Sequence, residues 1–219
     1  FYVNRQMSVW GTVSYAFAER NVSLGAENTI IKVPTIDFVE CLKKYGVPYY
    51  LKIDLEGMDV ACLKALRSIE GRPAYVSIES EKQQFDRLVD ELSLLSELGY
   101  DRFQAVQQAK VERQVVPFPA REGRYFKHVF KEGSSGLFGE ELSSQWKTAA
   151  KLQREYKMKF LGYKIFGDYG WAQKYFLLKV VRKVLSIILR RRIPGWFDTH
   201  AKHSSVADQD AFNTESRWN

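Results

Sequence analysis

The middle of the chain alternates between short apolar segments and segments with helical periodicity. Near-continuous apolar runs predict strands over residues 49–54 and 74–79, and apolar positions three and four residues apart predict helices over 58–69 and 84–98. Apolar strands that alternate with helices are typical of parallel βαβ units, in which both faces of the sheet are covered. The pattern therefore predicts an α/β fold with a doubly wound, mostly parallel sheet.

The N-terminal part has a weaker pattern. Residues 1–4 are expected to form an opening strand, and residues 11–28 are expected to be loop or hairpin. A short strand is predicted over 29–33, where it is stopped by a proline that cannot donate to a sheet ladder. Thr35 is then expected to be the N-cap of a helix that ends at Gly46.

After the second strand–helix unit, the pattern predicts two further strands, over residues 100–107 and 125–130. Two more helices are predicted over residues 146–161 and 171–192. Between the strands and these helices, the glycine-rich segment 133–139 predicts a flexible loop whose backbone amides could hold an anion. The final strand and helices are thus expected to extend the central α/β unit.

Composition divides the chain into three parts. Residues 1–132 form the predicted α/β domain, residues 133–200 a glycine-rich loop with a basic helical extension, and residues 201–219 a polar tail that is expected to be disordered. The whole chain has 33 Lys and Arg against 26 Asp and Glu, a net charge of +7. Because residues 141–219 hold 15 basic and 7 acidic residues, the positive charge belongs to the C-terminal part.

Several classes of protein are disfavoured by composition. Two cysteines, Cys41 and Cys62, are too few for a disulfide scaffold and favour a reducing, cytoplasmic compartment. No apolar run approaches the roughly 18 residues of a membrane-spanning helix, and no secretory signal pattern opens the chain. The phosphate-binding loop of nucleotide hydrolases and the His/Cys clusters of zinc enzymes are both missing from the sequence.

Acidic residues occur where the two central strands end. Asp54 and Glu56 follow the first of these strands, and Glu79 ends the second. Ligands of open α/β sheets bind beyond the carboxyl ends of the strands, so these carboxylates are candidates for a functional site, with divalent-metal assistance as a minority alternative. Lys52, inside the first strand, needs an acidic partner if it is buried, and Glu79 is the expected one.

Three segments carry a resemblance to a known family. They are Val33-Pro34-Thr35-Ile36-Asp37-Phe38, Leu51-Lys52-Ile53-Asp54-Leu55-Glu56-Gly57-Met58-Asp59 with the later Leu63, and Ile78-Glu79. In sequence and spacing they resemble the second half of the FkbM-type methyltransferases, and the Lys-Ile-Asp-x-Glu-Gly core is the specific part. The glycine-rich loop and Trp196-Phe197-Asp198-Thr199-His200-Ala201 also resemble segments of a bacterial subgroup.

The resemblance implies a Rossmann-like methyltransferase fold and the cofactor S-adenosylmethionine. It implies transfer of a methyl group to a hydroxyl oxygen of a sugar or secondary metabolite, with a small molecule or glycan as the partner. The residues expected near the reaction are Asp54, Glu56 and His200, of which His200 is a candidate base because histidine titrates near neutrality. Asp54, Leu55 and Glu79 are expected to contact the cofactor.

The sequence departs from the family in one respect. Such methyltransferases hold the cofactor with a glycine-rich turn after their first strand, and no two glycines of this chain are separated by a single residue. The expectation is that the N-terminal cofactor-binding strands are missing and that the first strand–helix units precede Phe1. We therefore expect the chain by itself to bind the cofactor weakly.

A non-enzymatic alternative comes from helix 171–192. No acidic residue lies between Asp168 and Asp198, and apolar residues recur at helical spacing among seven basic ones. A basic amphipathic helix of this kind is typical of contact with an anionic membrane surface, but a helix packed on the sheet with a solvated basic face is the interpretation that the pattern favours. No nucleic-acid recognition motif accompanies the charge, so nucleic acid is not an expected partner.

Overall fold

The computed structural model describes residues 1–6, 10–55, 58–82, 84–131, 133–166, 175–188 and 195–206. Within these residues there are six strands and six α-helices. The strands are β1 (Tyr2–Asn4), β2 (Asn28–Ile30), β3 (Tyr50–Ile53), β4 (Tyr75–Glu79), β5 (Tyr100–Gln107) and β6 (Phe197–His203). The helices are α1 (Tyr15–Ser23), α2 (Phe38–Tyr45), α3 (Asp59–Ala65), α4 (Phe85–Glu97), α5 (Ala149–Phe166) and α6 (Phe176–Ile188).

The main sheet has four strands in the order β3-β4-β6-β5. β3 and β4 are parallel, whereas β6 is antiparallel to both β4 and β5. β1 and β2 form a separate antiparallel pair. The predicted α/β class is confirmed, but the sheet is mixed, because the last strand of the described chain inserts between two earlier strands in the opposite direction.

One face of the main sheet forms the hydrophobic core. Its central side chains are buried and belong to all four strands: Ile53, Val76, Ile78, Phe103 and Ala201. Helices α3, α4 and α5 supply the rest of this core, with α4 packed on α5 and α3, and α5 on β5. Burial of these apolar side chains is the main stabilising contribution, at roughly 25 cal/mol per Å² removed from water.

The opposite face of the same sheet is polar. Lys52, Ser77, His200 and Gln104 lie side by side across the four strands, as the register of the strand pairs shows. Because side chains alternate between the two faces of a strand, these residues all point away from the apolar core. The polar face therefore brings together residues that are up to 148 positions apart in the sequence (Lys52 to His200).

Residues 137–142 pack on one end of this polar face. Phe138 stacks on Tyr50 with the ring centroids 4.1 Å apart. Glu140 accepts a hydrogen bond from the Tyr75 hydroxyl at 2.8 Å and pairs with the buried Lys202 ammonium, also at 2.8 Å. The glycine-rich segment is thus fixed to the sheet by an aromatic stack and a buried ion pair.

Several boundaries differ from the sequence predictions. Residues 15–23, predicted as loop or hairpin, form α1, in which the Ser14 side chain accepts from the Phe17 amide. The N-cap of α2 is Asp37, not Thr35, and its carboxylate accepts from the Glu40 amide. These N-terminal helices begin where a polar side chain reaches a free backbone amide, which a periodicity of apolar residues does not reveal.

The C-terminal half shows two further corrections. The predicted strand 125–130 is wrong, since the structure has there only an isolated bridge between Val115 and Val129. The polar tail expected from Ala201 is also wrong for its first residues, because β6 continues to His203 in the middle of the sheet. Of the predicted helix 171–192, residues 176–188 are helical, and residues 171–174 and 189–192 lie outside the described residues.

No helix in the described part of the chain has the length and apolar character that a membrane span requires.

Candidate active site

Three carboxylates lie at one edge of the main sheet, namely the end at which the parallel strands β3 and β4 terminate. Asp54 directly follows β3, and Glu79 is the last residue of β4. β6 runs in the opposite direction, so its second residue, Asp198, is at the same edge and directly opposite Glu79. The edge where parallel strands end is where open α/β sheets bind ligands, and it is here that the structure brings these side chains together.

Lys52 joins two of these carboxylates. Its Nζ lies 3.1 Å from Asp198 Oδ2 and 3.2 Å from Asp54 Oδ2. Glu79, expected from the sequence to be the partner of Lys52, instead pairs with Lys82 at 2.8 Å. The Lys52 ammonium therefore orients Asp54 from within the sheet. Lys52 is itself held by Asp198 of β6, the last strand of the described chain.

The two carboxylates differ in their environment. The Asp198 side chain is only 4% exposed, whereas that of Asp54 is 46% exposed. Burial raises the pKa of Asp198 to about 6, although the Lys52 charge acts in the opposite direction. Burial also acts to lower the pKa of Lys52, but Asp198 and Asp54 outweigh it and the pKa of the ammonium is raised. Lys52 thus stays cationic, and Asp54 is the carboxylate that solvent and ligands can reach.

His200 lies deeper on the same face. It is 2% exposed, and burial together with the Lys52 charge lowers the pKa of its imidazole to about 3. The side chain therefore stays neutral at physiological pH, in contrast to the titration near neutrality that the sequence predicted. Its ring lies 6.4 Å from that of Tyr50, whose hydroxyl bonds the Ser77 hydroxyl at 2.6 Å.

Of the remaining predicted site residues, Leu55 directly follows Asp54. The Leu55 side chain is exposed at the edge, and its backbone amide donates to Asp59 Oδ1 at 3.1 Å. This bond ties the segment after β3 to the start of α3. Glu56 lies outside the described residues. Among the residues that are described, no three His, Cys, Asp or Glu side chains are grouped as metal ligands.

Asp198 is the site residue that sequence reasoning did not select. The residues around it, Phe197-Asp198-Thr199-His200-Ala201, were noted for family resemblance but not assigned to a strand. Asp198 and His200 are two residues apart, the spacing that puts two side chains on one face of a strand. That spacing was the available signal, and only the insertion of β6 between β4 and β5 places Asp198 beside Lys52.

Comparison with known proteins identifies the same region. Residues 7–102 match the family model of the methyltransferase FkbM domain, which confirms the resemblance seen in the motifs around Asp37 and Asp54. The matched segment comprises 96 of the 219 residues. It contains β3, β4 and their carboxylates, whereas Asp198 and His200 lie beyond it. No curated protein and no solved structure gives a significant match.

Proposed function

We propose that this protein contributes to an S-adenosylmethionine-dependent O-methyltransferase that acts on a hydroxyl group of a sugar or secondary metabolite. The FkbM domain match supports the class of enzyme. The observation that carries the proposal is Asp54, a partly exposed carboxylate at the ligand-binding edge of the sheet, oriented by Lys52. An acceptor hydroxyl needs a group of this kind to hold it in line and to take its proton.

The residues at the edge fit the cofactor in charge and polarity. S-adenosylmethionine carries a cationic sulfonium and supplies the methyl group when it is bound. Asp54 and Glu79 present carboxylates at the edge and Leu55 presents an exposed apolar side chain, which suit the cationic and apolar parts of such a ligand. We propose these three residues as cofactor contacts, and Glu56 as a second carboxylate of the site.

In the proposed reaction, Asp54 accepts the proton of the acceptor hydroxyl while the oxygen of that hydroxyl bonds to the methyl carbon. S-adenosylmethionine, when bound, would supply this methyl group by cleavage of its methyl–sulfur bond, with the neutral thioether as the leaving group. Lys52 holds the Asp54 carboxylate by the 3.2 Å ion pair, and Asp198 holds Lys52. His200 is neutral and buried, so its role in this scheme is to form hydrogen bonds and not to remove the proton.

The test is methyl transfer. The chain is incubated with S-adenosylmethionine and a panel of neutral sugars and polyketide alcohols. Release of S-adenosylhomocysteine and a methyl ether in the product would support the proposal. Methylation of a carboxylate, an amine or a thiol in place of a hydroxyl would contradict O-methylation while leaving the enzyme class intact.

We further propose a cytoplasmic location with peripheral membrane contact through α6. Its side chains Val180, Val184 and Ile187 are exposed, and they recur at the spacing of one helix face. Lys183 is exposed on the same helix. Exposed apolar residues next to basic ones are the arrangement that binds an anionic lipid surface.

A further inference from the structure

His200 and Gln104 form an unusual pair in the polar face. They are directly opposite each other on β6 and β5, and their relative exposures are 2% and 1%. In such a pair the Cβ atoms are about 5 Å apart, so the two side chains lie next to each other. The pair lies two residues from Asp198 along β6, or about 7 Å inward from the ligand-binding edge.

Neither side chain has a protein partner among the described residues. Both ring nitrogens of His200 and both amide atoms of Gln104 are buried and form no hydrogen bond. Three other buried atoms in the described chain also lack a partner, but they belong to separate side chains: Arg72 Nε, Gln108 Nε2 and Glu141 Oε2. Only His200 and Gln104 have all their side-chain polar atoms in this state, and they are adjacent.

The neighbours of the pair do not satisfy it. Ser77 is opposite His200 on the other side, but its hydroxyl bonds the Tyr50 hydroxyl. Lys52, in the same row, is directed to Asp54 and Asp198. Buried polar groups in proteins are nearly always paired, because an unmade hydrogen bond is costly in a low-dielectric interior. Four such atoms side by side therefore indicate a bound group.

We propose that His200 and Gln104 together bind one neutral hydroxyl group of the acceptor, next to the hydroxyl that is methylated. This inference rests on the proposed function for the identity of the acceptor. A neutral imidazole and an amide each offer one donor atom and one acceptor atom, and a hydroxyl donates one hydrogen bond and accepts up to two, so it can bond three of the four atoms. A carboxylate or phosphate accepts only, so it would leave the acceptor atoms of the pair unmatched and would face the nearby Asp198.

The inference assigns a specificity role to these two residues. An acceptor that lies across the edge at Asp54 would extend inward by about 7 Å to reach the pair, a distance that a sugar ring spans. Acceptors without a second hydroxyl would leave the buried atoms unpaired. Sites built to bond a substrate hydroxyl reject analogues that lack it, and this pair is expected to discriminate in the same manner.

The first experiment asks whether the pair holds a hydroxyl at all. Gln104→Met and His200→Leu replace the polar atoms with apolar groups of similar volume, and Gln108→Met is the matched control outside the pair. If a hydroxyl bridges the pair, in water or in a ligand, each substitution lowers Tm by roughly 3–8 °C and the double variant loses less than the sum. Equal or higher Tm in both variants, with additive effects, would show that the pair holds nothing and would overturn the proposal.

A second measurement does not depend on how the variants fold. Nitrogen NMR of the wild-type His200 ring is expected to show one neutral tautomer in which both ring nitrogens have the chemical shifts of a hydrogen-bonded imidazole. Shifts of an unbonded neutral imidazole at both nitrogens would contradict the proposal.

The final arm identifies the source of the hydroxyl. Methyl α-D-glucopyranoside should raise the Tm of the wild type and of Gln108→Met, but not of Gln104→Met, and sodium sulfate at the same concentration should not discriminate among them. If the glucoside shifts all three equally, the hydroxyl is that of a buried water and the acceptor assignment is overturned. The methyl-transfer assay described above is run in parallel, since a failure of the methyltransferase proposal would appear there and not in the glucoside response.

Discussion

Lys52 is the residue on which the arrangement of the candidate site depends. It lies within a strand, where an ammonium without a partner would be costly, and it is satisfied by two carboxylates from different parts of the chain. One of them, Asp198, is buried and serves to hold the cation. The other, Asp54, is partly exposed and remains accessible to a ligand. This division explains why two aspartates with the same charge have different expected roles.

The substitution Asp54→Asn tests the catalytic role directly. It keeps the size of the side chain and removes its charge, so we expect turnover to fall by about 10²–10⁴-fold, the range of positioned acid–base groups, with little change in Tm. Asp101→Asn is the control, because Asp101 is also about half exposed (51% against 46%) but lies at the start of β5, the opposite edge of the sheet. Full activity in Asp54→Asn would end the assignment.

The same assay separates the roles of Asp54 and Glu56. Glu56→Gln should reduce turnover less than Asp54→Asn if Glu56 only orients the acceptor. If the two carboxylates act as a unit, both losses should be similar and the double variant no worse than either, because coupled residues are not additive. Turnover measured with all three variants decides between these roles.

His200 should make the stability of the protein sensitive to acid. Burial lowers the pKa of its imidazole from about 6.5 to about 3, so below pH 6.5 the unfolded chain takes up a proton that the folded chain refuses. Stability is then lost as pH falls, by roughly 1.4 kcal/mol per pH unit. Asp198, whose pKa is raised, acts in the opposite direction below pH 6.

Comparison of wild type with His200→Gln isolates the histidine, since Gln does not titrate. Urea unfolding at pH 7, 6 and 5 should show the difference between the two proteins shrink or reverse towards low pH. A constant difference would mean that His200 takes up a proton in the folded state.

At the scale of elements, β6 is the strand that assembles the site. It pairs with both β4 and β5, and it carries Asp198 and His200 on its polar face and Ala201 in the apolar core. The segment from Leu137 to Leu142 covers one end of the same polar face, through the Phe138–Tyr50 stack and the Glu140–Lys202 ion pair. The site therefore depends on contacts between elements that are distant in sequence.

Removing the charge of Glu140 should destabilise the fold strongly. Lys202 is almost fully buried (2% side-chain exposure), so Glu140→Gln removes a carboxylate charge 2.8 Å from a desolvated ammonium. The expected loss is about 3–5 kcal/mol of unfolding free energy, measured by chemical denaturation. Glu40→Gln breaks the exposed Glu40–Lys43 pair and should cost less than about 1 kcal/mol. Similar effects of the two substitutions would contradict the assignment of a buried pair.

Helix α6 is expected to bind anionic vesicles more than neutral ones. Each basic residue near the surface contributes roughly 1 kcal/mol, which salt screens within a Debye length. Sedimentation with vesicles that contain phosphatidylserine, at low and high salt, measures this, and Lys183→Glu should weaken it. Equal, salt-independent partitioning to both kinds of vesicle would contradict membrane binding by α6 and would favour a role in packing.

At the scale of the whole molecule, the two faces of the main sheet have different roles, the apolar face in stability and the polar face in the candidate site. Helices α3, α4 and α5 bury the apolar face and stabilise the fold, while the other face and its edge carry the titratable residues. The FkbM match covers residues 7–102, which include β3 and β4, and β6 completes the edge from outside that match. The candidate site therefore contains residues from both segments.

We expect the 219-residue chain alone to bind S-adenosylmethionine more weakly than micromolar. The glycine-rich turn with which dinucleotide and related folds grip a ligand has no counterpart in this sequence, which contains no Gly-x-Gly. Titration calorimetry measures the affinity. Micromolar binding would mean that other residues hold the cofactor, and Glu79→Gln and Asp54→Asn would then show whether the proposed contacts are among them.

Local sequence patterns are sufficient to predict several helices and strands of the fold. Helices α3 and α4 and strands β3 and β4 follow from apolar spacing, Gly46 ends α2 with a positive φ of 87°, and the motif around Asp54 indicates the family. Local patterns report what a residue's near neighbours require, so these features could be predicted. The sequence missed α1, whose cap depends on one serine, and it placed a strand at 125–130 where apolar residues face outward.

The contacts between residues that are distant in the sequence follow from the tertiary structure and not from the sequence pattern. That β6 inserts antiparallel between β4 and β5, that Asp198 and not Glu79 holds Lys52, and that His200 is buried and neutral all depend on pairing between strands that are 90 or more residues apart. The chain's short-range pattern does not encode such pairing. The pairing of the strands is selected by the burial of one whole face of the sheet and by the need to match charges on the other face.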